Sequence, residues 1–320
     1  MASRNAPRPG GIYSGAMEWP TLQMQGWQET RATLHMWIQI VGKTRLALAP
    51  FQNHWWHVPL YVSARGLTTS PIPWRGGTLE IEFDFVRHVL EARSSAGQTA
   101  AIPLSSRPVA EFFREYLGLL ESFGIPARFL KRPVEVQESI PFEQDFKHAR
   151  YDPAWATALW RVLQLVRNVF EQFRGEFIGK ASPVHFFWGS LDLAATRFSG
   201  RPAPRHPGGA PNCPSYVMEE AYSHEVSSAG FWPGDDSFPE AILFSYAYPE
   251  PEGFARAPVE PAEARYDGTL REFVLPYEKV RLLPDPEAAV LRFLRSTYEA
   301  AASLGKWDRS ALERVPARHL

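Results

Sequence analysis

Cysteine is almost missing from this chain. Cys213 stands alone among 320 residues, which excludes an internal disulfide and fits a reducing compartment. Net charge is almost missing too: 34 basic residues face 35 acidic ones for a formal charge of −1. No overall field therefore draws in nucleic acid or an anionic membrane. Lysine is scarce, at six of the 34 basic residues. The arginine excess favours fixed ion pairs and anion-binding forks, or else reflects a GC-rich genome. No apolar run approaches ~18 residues, so no membrane-spanning helix is expected. The opening MASRNAPRPGGIYSG lacks the apolar stretch of a secretion signal. There is no G-x-G-x-x-G fingerprint, and Gly189-Ser190-Leu191 lacks the G-x-S-x-G pattern of a nucleophile elbow. The expectation is a cytoplasmic protein with neither nucleic-acid nor membrane partners.

What the chain does have is apolar and aromatic mass. At 45% apolar and 13% aromatic it is no disordered segment. A tryptophan buries its ring yet needs a partner for its N–H, so some of the eleven tryptophans should line a cleft. Residues 1–16 are rich in Pro, Gly and Arg and read as an arm. The spacing of Trp27, Leu34, Trp37, Ile38 and Val41 predicts an amphipathic helix. Gly42-Lys43-Thr44 ends like a phosphate-binding loop, but Trp37 stands where that loop needs glycine, so the nucleotide reading is rejected. Leu79, Ile81, Phe83 and Phe85 alternate with Glu80, Glu82 and Asp84 as in a half-exposed strand. Further strands and a helix over 108–123 complete a first half, 17–124. Residues 125–152 form a connector with a strand near Val134-Glu135-Val136. A second half, 153–320, repeats the order: a helix from Pro153, a strand over 184–198, strands near 216–226 and 242–248, and a helix opened by Asp285-Pro286. Ser245–Phe254 reads as an edge strand running into a polar loop.

The predicted fold is α+β: two helix–antiparallel β-meander–helix halves, related by internal duplication and packed as one unit. Its residue-level support is an ungapped pairing of two aromatic stretches, which sets His54 on His185, Leu60 on Leu191 and Ala64 on Ala195. A cleft between the halves would then be a natural site.

Strand alternation places Trp55, His57, Tyr61 and Arg65 on one face of the first stretch, with Trp188, Ser190 and Asp192 matching them in the second and Arg197 joining if a bulge intervenes. With His185, His224 and Glu225 they form a candidate site for a small polar or anionic molecule. His57, Asp192, His224 and Glu225 would supply acid–base chemistry. Tyr61, Arg65, His185 and Arg197 would hold the ligand, walled by Trp55 and Trp188. The plainer alternative is a salt-bridge network tying the halves together. His224-Glu225 lacks the second histidine of a zinc-protease motif, since Ser228 stands there. A two-His-one-carboxylate metal set remains an alternative, as does a non-catalytic module whose aromatic surface binds another protein. Ser190, Ser223 and Cys213 are the weaker candidate nucleophiles.

Four phrases, NHWWHVPLYVSARGLTTSPIP, HFFWGSLDLAATRFSGRPAP, YSHEVSSAGFWPG and FSYAYPEP, together resemble the domain-of-unknown-function 5996 family, which is mainly bacterial. The resemblance spans most of the chain. It implies a bacterial cytoplasmic protein and carries over no activity, cofactor or catalytic residue.

Overall fold

The alternation of Leu79, Ile81 and Phe83 with acidic residues produces the central strand of a first antiparallel sheet, apolar inward and acidic outward. The computed structural model describes residues 18–314; the predicted arm, 1–16, lies outside them. A long helix α1 (Met24–Leu48) comes first. The first sheet follows: β1 (Tyr61–Val62), β2 (Gly66–Thr68), β3 (Ile72–Trp74), β4 (Gly77–Asp84), β5 (Val89–Ser94) and β6 (Thr99–Pro103), in the order β1-β2-β4-β5-β6 with β3 on the end of β4. Helices α2 (Val109–Ser122) and α3 (Pro153–Gly175) flank the connector.

The second sheet contains β7 (His185–Phe187) and β8 (Asp192–Pro202). After α4 (Ser215–Ala221) come β9 (His224–Trp232), β10 (Ile242–Tyr248), β11 (Arg265–Asp267) and β12 (Glu272–Pro276). Its order is β11-β12-β10-β9-β8-β7. Helices α5 (Tyr277–Val280), α6 (Pro286–Leu304) and α7 (Arg309–Leu312) end the described chain. The side chain of Asp285 accepts from Ala288 N–H at 2.9 Å and Pro286 opens α6, as the dipeptide predicts.

The α+β expectation holds. Both sheets are antiparallel and each is flanked by helices, and their facing edges are joined where Leu60 and Phe186 exchange two backbone hydrogen bonds of 2.8 Å. The sheets are similar, but the residue pairing expected of a duplication is not followed. His54 lies in a 3-10 turn at φ 56°, whereas His185 begins a strand, so duplication is not confirmed.

Several local expectations are corrected. Residues 53–60 form a turn rather than a strand, because His54 and Trp55 both take left-handed backbone angles that a strand cannot hold. Residues 184–198 split into a hairpin at 188–191, where Leu191 turns at φ 66°. Residues 134–136 are bends; Glu135 sits at φ 59°. The segment 215–221 is helical, as suits Met218, Glu219, Glu220 and Ala221. β10 is an interior strand between β9 and β12, not an edge.

One continuous apolar core runs through both halves. Helix α1 is buried around most of its circumference rather than along one stripe. Against the inner face of the second sheet, Arg197 is clamped by aromatic rings, its guanidinium carbon 3.4 Å from the Phe173 ring centre and 4.3 Å from that of Tyr298. It donates to the Phe173 carbonyl and is only 3% exposed. Replacing Arg197 with alanine is expected to cost about 2–4 kcal/mol, since it opens a cavity between two rings and removes one of the two hydrogen bonds to the Phe173 carbonyl. Urea titration checks this; an unchanged midpoint would show that the clamp contributes nothing.

Candidate functional site

The second sheet presents two different faces. Leu193, Ala195, Phe231, Leu243 and Phe273 belong to the main core, towards α3 and α6. The alternate positions, Asp192, Ala194, Thr196 and Phe198 on β8, Ser228 on β9, Phe244 and Tyr246 on β10, and Glu272 on β12, floor a cavity of about 600 Å³. That volume suits a metabolite-sized ligand. Tyr222 and Tyr246 share a hydroxyl hydrogen bond of 2.7 Å, and the Thr196 and Ser228 hydroxyls meet at 2.8 Å.

The walls come from three separate parts of the chain. Along α1, His35, Gln39 and Lys43 recur every four residues and form a buried polar stripe. His35 Nε2 donates to the Gly189 carbonyl at 2.9 Å. Gln39 clamps Val134 from both sides, donating to its carbonyl at 2.8 Å and accepting from its N–H at 2.9 Å. This clamp, with the Glu135 N–H donating to Pro211 at 2.7 Å, delivers the Glu135 side chain to the cavity. Gly189 makes room for it: a β-carbon there would lie 2.0 Å from the Glu135 carboxylate. Gly42 does the same for Trp188, whose indole would meet a β-carbon at 2.2 Å.

The roof is the turn at 53–56. Trp55 Nε1 donates to Val217 at 2.9 Å, and the His54 N–H to the Glu220 carboxylate at 2.9 Å. These bonds to α4 hold two consecutive left-handed residues, each of which costs free energy on its own, so that Trp55 and Trp56 both face the cavity.

The electrostatics are unusual for so apolar a space. Burial pushes the Glu135 carboxyl up to about 7, with the Asp192 charge adding to the shift. Burial raises Asp192 to about 6, against a hydrogen bond from Ser190. Burial raises Glu272 to about 8, aided by the charges of Asp192 and Asp267. Lys43 moves in the opposite direction, down to about 8, again chiefly by burial. Its Nζ stands 5.3 Å from the Trp188 ring centre. Four groups that can exchange protons near neutral pH thus line one aromatic chamber, an arrangement suited to acid–base work or to a polar ligand.

Of the residues predicted from sequence, Asp192, His185, Trp55 and Trp188 line this cavity. His185 is 1% exposed, its Nδ1 has no hydrogen-bond partner among the described residues, and burial lowers its pKa to about 3. The other six do not line it. His57 is buried under the roof, accepting from Gln52 N–H at 3.2 Å. Tyr61 lies beneath Arg45, 5.5 Å from the guanidinium. Arg65 is on the outer face of the first sheet, 2.6 Å from Asp84. There burial opposes the Asp84 charge, but hydrogen bonds from Arg65 and Arg87 overcome it and hold the carboxyl well below its usual range. Arg197 is in the clamp described above. His224 meets Ser223 at 3.1 Å, and Glu225 is tied to Ser199 and Arg201. His57, Asp192 and His224 are not brought together: the alternation that set His57 beside Asp192 fails where residues 53–57 turn, and His224 lies outside the cavity lining. Among the described residues no three His, Cys, Asp or Glu side chains are placed to hold a metal ion.

The reasoning from sequence missed Lys43, Glu135 and Glu272. The polar stripe His35, Gln39, Lys43 on an otherwise apolar helix was the available signal for the first. Nothing local marked Glu135, whose placement depends on contacts with Gln39 and Gly189 far away in the chain.

The fold is an α+β arrangement with an aromatic, carboxyl-floored cavity over the second sheet, closed by α1, the connector, the 53–56 turn and α4. Residues 19–314 match the family of unknown function DUF5996, and the chain belongs to that family. Neither the curated proteins nor the solved structures provide a match.

Glu272 gives a direct check on the electrostatics. Its folded pKa lies above the unfolded value, so its contribution to stability is fully present below about pH 4 and is lost as pH rises through about 8. Glu272→Gln is therefore expected to leave stability unchanged at pH 4 and to raise it by about 1–3 kcal/mol at pH 8. Denaturant unfolding at the two pH values measures this; equal effects at both would mean that the carboxyl titrates normally.

Proposed function

We propose that this protein is an enzyme or binding protein for a small molecule held in the cavity over the second sheet. The carrying observation is the convergence of Glu135, Asp192, Glu272 and Lys43 inside an aromatic chamber of about 600 Å³. Carboxyl groups are not gathered in an apolar space for stability, because each pays for its desolvation. Such a gathering is expected where a ligand supplies the missing partners.

The ligand has an apolar or aromatic body, to lie against Trp55, Trp56 and Trp188, and a polar end for the carboxyl groups. That end is neutral or cationic. An anion would meet three carboxyls, while Arg65 and Arg197, expected to grip it, are engaged elsewhere. The lone Cys213 supports a reducing location, and we place the protein in a bacterial cytoplasm.

Ala194 lies between Asp192 and Thr196 on the floor. Ala194→Trp is expected to fill the chamber and weaken small-molecule binding by at least about tenfold, with circular dichroism unchanged. Ligand-observed NMR against a library of amines, alcohols and carboxylates reads this out. Hits that bind the variant as tightly as the native protein, or hits that are mainly carboxylates, would overturn the reading.

A further inference from the structure

Lys43 is singular among the lysines. The other five, Lys131, Lys147, Lys180, Lys279 and Lys306, are exposed, whereas Lys43 is 3% exposed. Buried lysines ordinarily carry an ion pair. The Lys43 amine has neither an ion pair nor a hydrogen bond among the described residues; it lines the cavity and stands over the Trp188 ring. Its placement is built rather than incidental. Lys43 follows Gly42, which admits the Trp188 indole, and it lies one turn beyond Gln39, which positions Glu135.

We infer that Lys43 is a nucleophile which forms an imine with an aldehyde or ketone bound in the cavity. The inference rests on the cavity being the ligand site. Desolvation lowers the pKa to about 8, so a substantial share of the amine is uncharged near neutral pH, as a lysine nucleophile requires. The nitrogen lone pair forms the new C–N bond, and the carbonyl π pair moves to oxygen, which takes up the proton that nitrogen loses. The C–O bond of this carbinolamine then breaks. Its hydroxyl leaves as water with a proton from the Glu135 carboxyl, and the nitrogen lone pair closes the C=N bond. One water is released per imine, the products are an iminium cation and the Glu135 carboxylate, and no oxidant or reductant takes part. The Trp188 face and the floor carboxylates then surround the cation that forms. Glu135, held at about 7 by burial, can both give that proton and keep the resulting charge beside the iminium.

The test treats the full chain with benzaldehyde and cyanoborohydride at pH 7.5, with intact-mass and peptide analysis. In parallel, benzyl alcohol, which cannot form an imine, reports on occupancy by ligand-observed NMR, with Ala194→Trp as the reference. The expected result is a benzyl adduct on Lys43 formed on the order of 100-fold faster than on an ordinary solvated lysine amine, with labelling of the α-amine, whose ordinary pKa is about 8, read separately by the peptide analysis. Lys43→Arg and Lys43→Met should each remove this adduct while the slow surface reaction continues. If benzyl alcohol binds but labelling is absent or spread over the exposed lysines, the imine is overturned and the cavity stands as a binding site. If benzyl alcohol fails to bind and Lys43 is unlabelled, both readings fail together.

Discussion

The pair of hydrogen bonds between Gln39 and Val134 is the contact on which the cavity depends. It fastens an otherwise loose connector to the most deeply buried helix, α1, and it does so with a side chain that has no solvent to compete for it. With the Glu135 N–H bond to Pro211, it holds Glu135 in its left-handed turn beside Gly189. One turn earlier, His35 secures the 188–189 turn of the second sheet by its carbonyl. One turn later, Lys43 enters the cavity. A single helical stripe thus docks the connector, docks the hairpin and supplies a functional group, which explains why α1 tolerates so many buried polar residues.

The roof follows a related logic. Two successive non-glycine residues at positive φ are costly, and they persist only where surrounding contacts over-determine them. Here α4 supplies those contacts, through the Val217 carbonyl and the Glu220 carboxylate. The cost of the turn is offset by bonds that also place Trp55 and Trp56 over the floor. Rigid walls on α1 and the sheet therefore face a roof whose shape depends on a seven-residue helix. Roof and floor are set by different parts of the chain and meet where His54 and Trp56 pack on Phe198 of β8.

Much of the fold was legible in the sequence. The alternation around Leu79–Phe85 and the Asp285-Pro286 dipeptide are local signals, and local physics decides them. The site was less so. Sorting residues 53–65 by strand alternation requires a strand, and the bonds to α4 impose a turn instead, which moves His57, Tyr61 and Arg65 off the common face. Asp192, His185, Trp55 and Trp188 remain in the cavity because the hairpin and the roof both reach it. Gly42-Lys43 ends like a phosphate loop in sequence but lies inside α1. What makes the pair important, the approach of Trp188 and the lack of a partner for the amine, is a property of distant packing that no window of sequence contains.

The chamber's charges are best understood as one coupled system rather than four separate titrations. Burial raises Glu135, Asp192 and Glu272 and lowers Lys43, and the Asp192 charge raises Glu135 and Glu272 further. Placing one positive charge among them lowers every carboxyl pKa at once, so a cation formed or bound there is compensated by proton release rather than by side-chain movement. Water cannot do this as well in an aromatic enclosure, because it must be ordered and then displaced. A set of acids held near their own titration points is ready to neutralise a charge of uncertain position, whereas a fixed arginine–carboxylate pair, such as Arg65 with Asp84 on the outer face, is already satisfied and can answer nothing new. Such paired charges lie outside the cavity, on both halves of the chain, whereas the carboxyls that line the cavity have no arginine partner among the described residues.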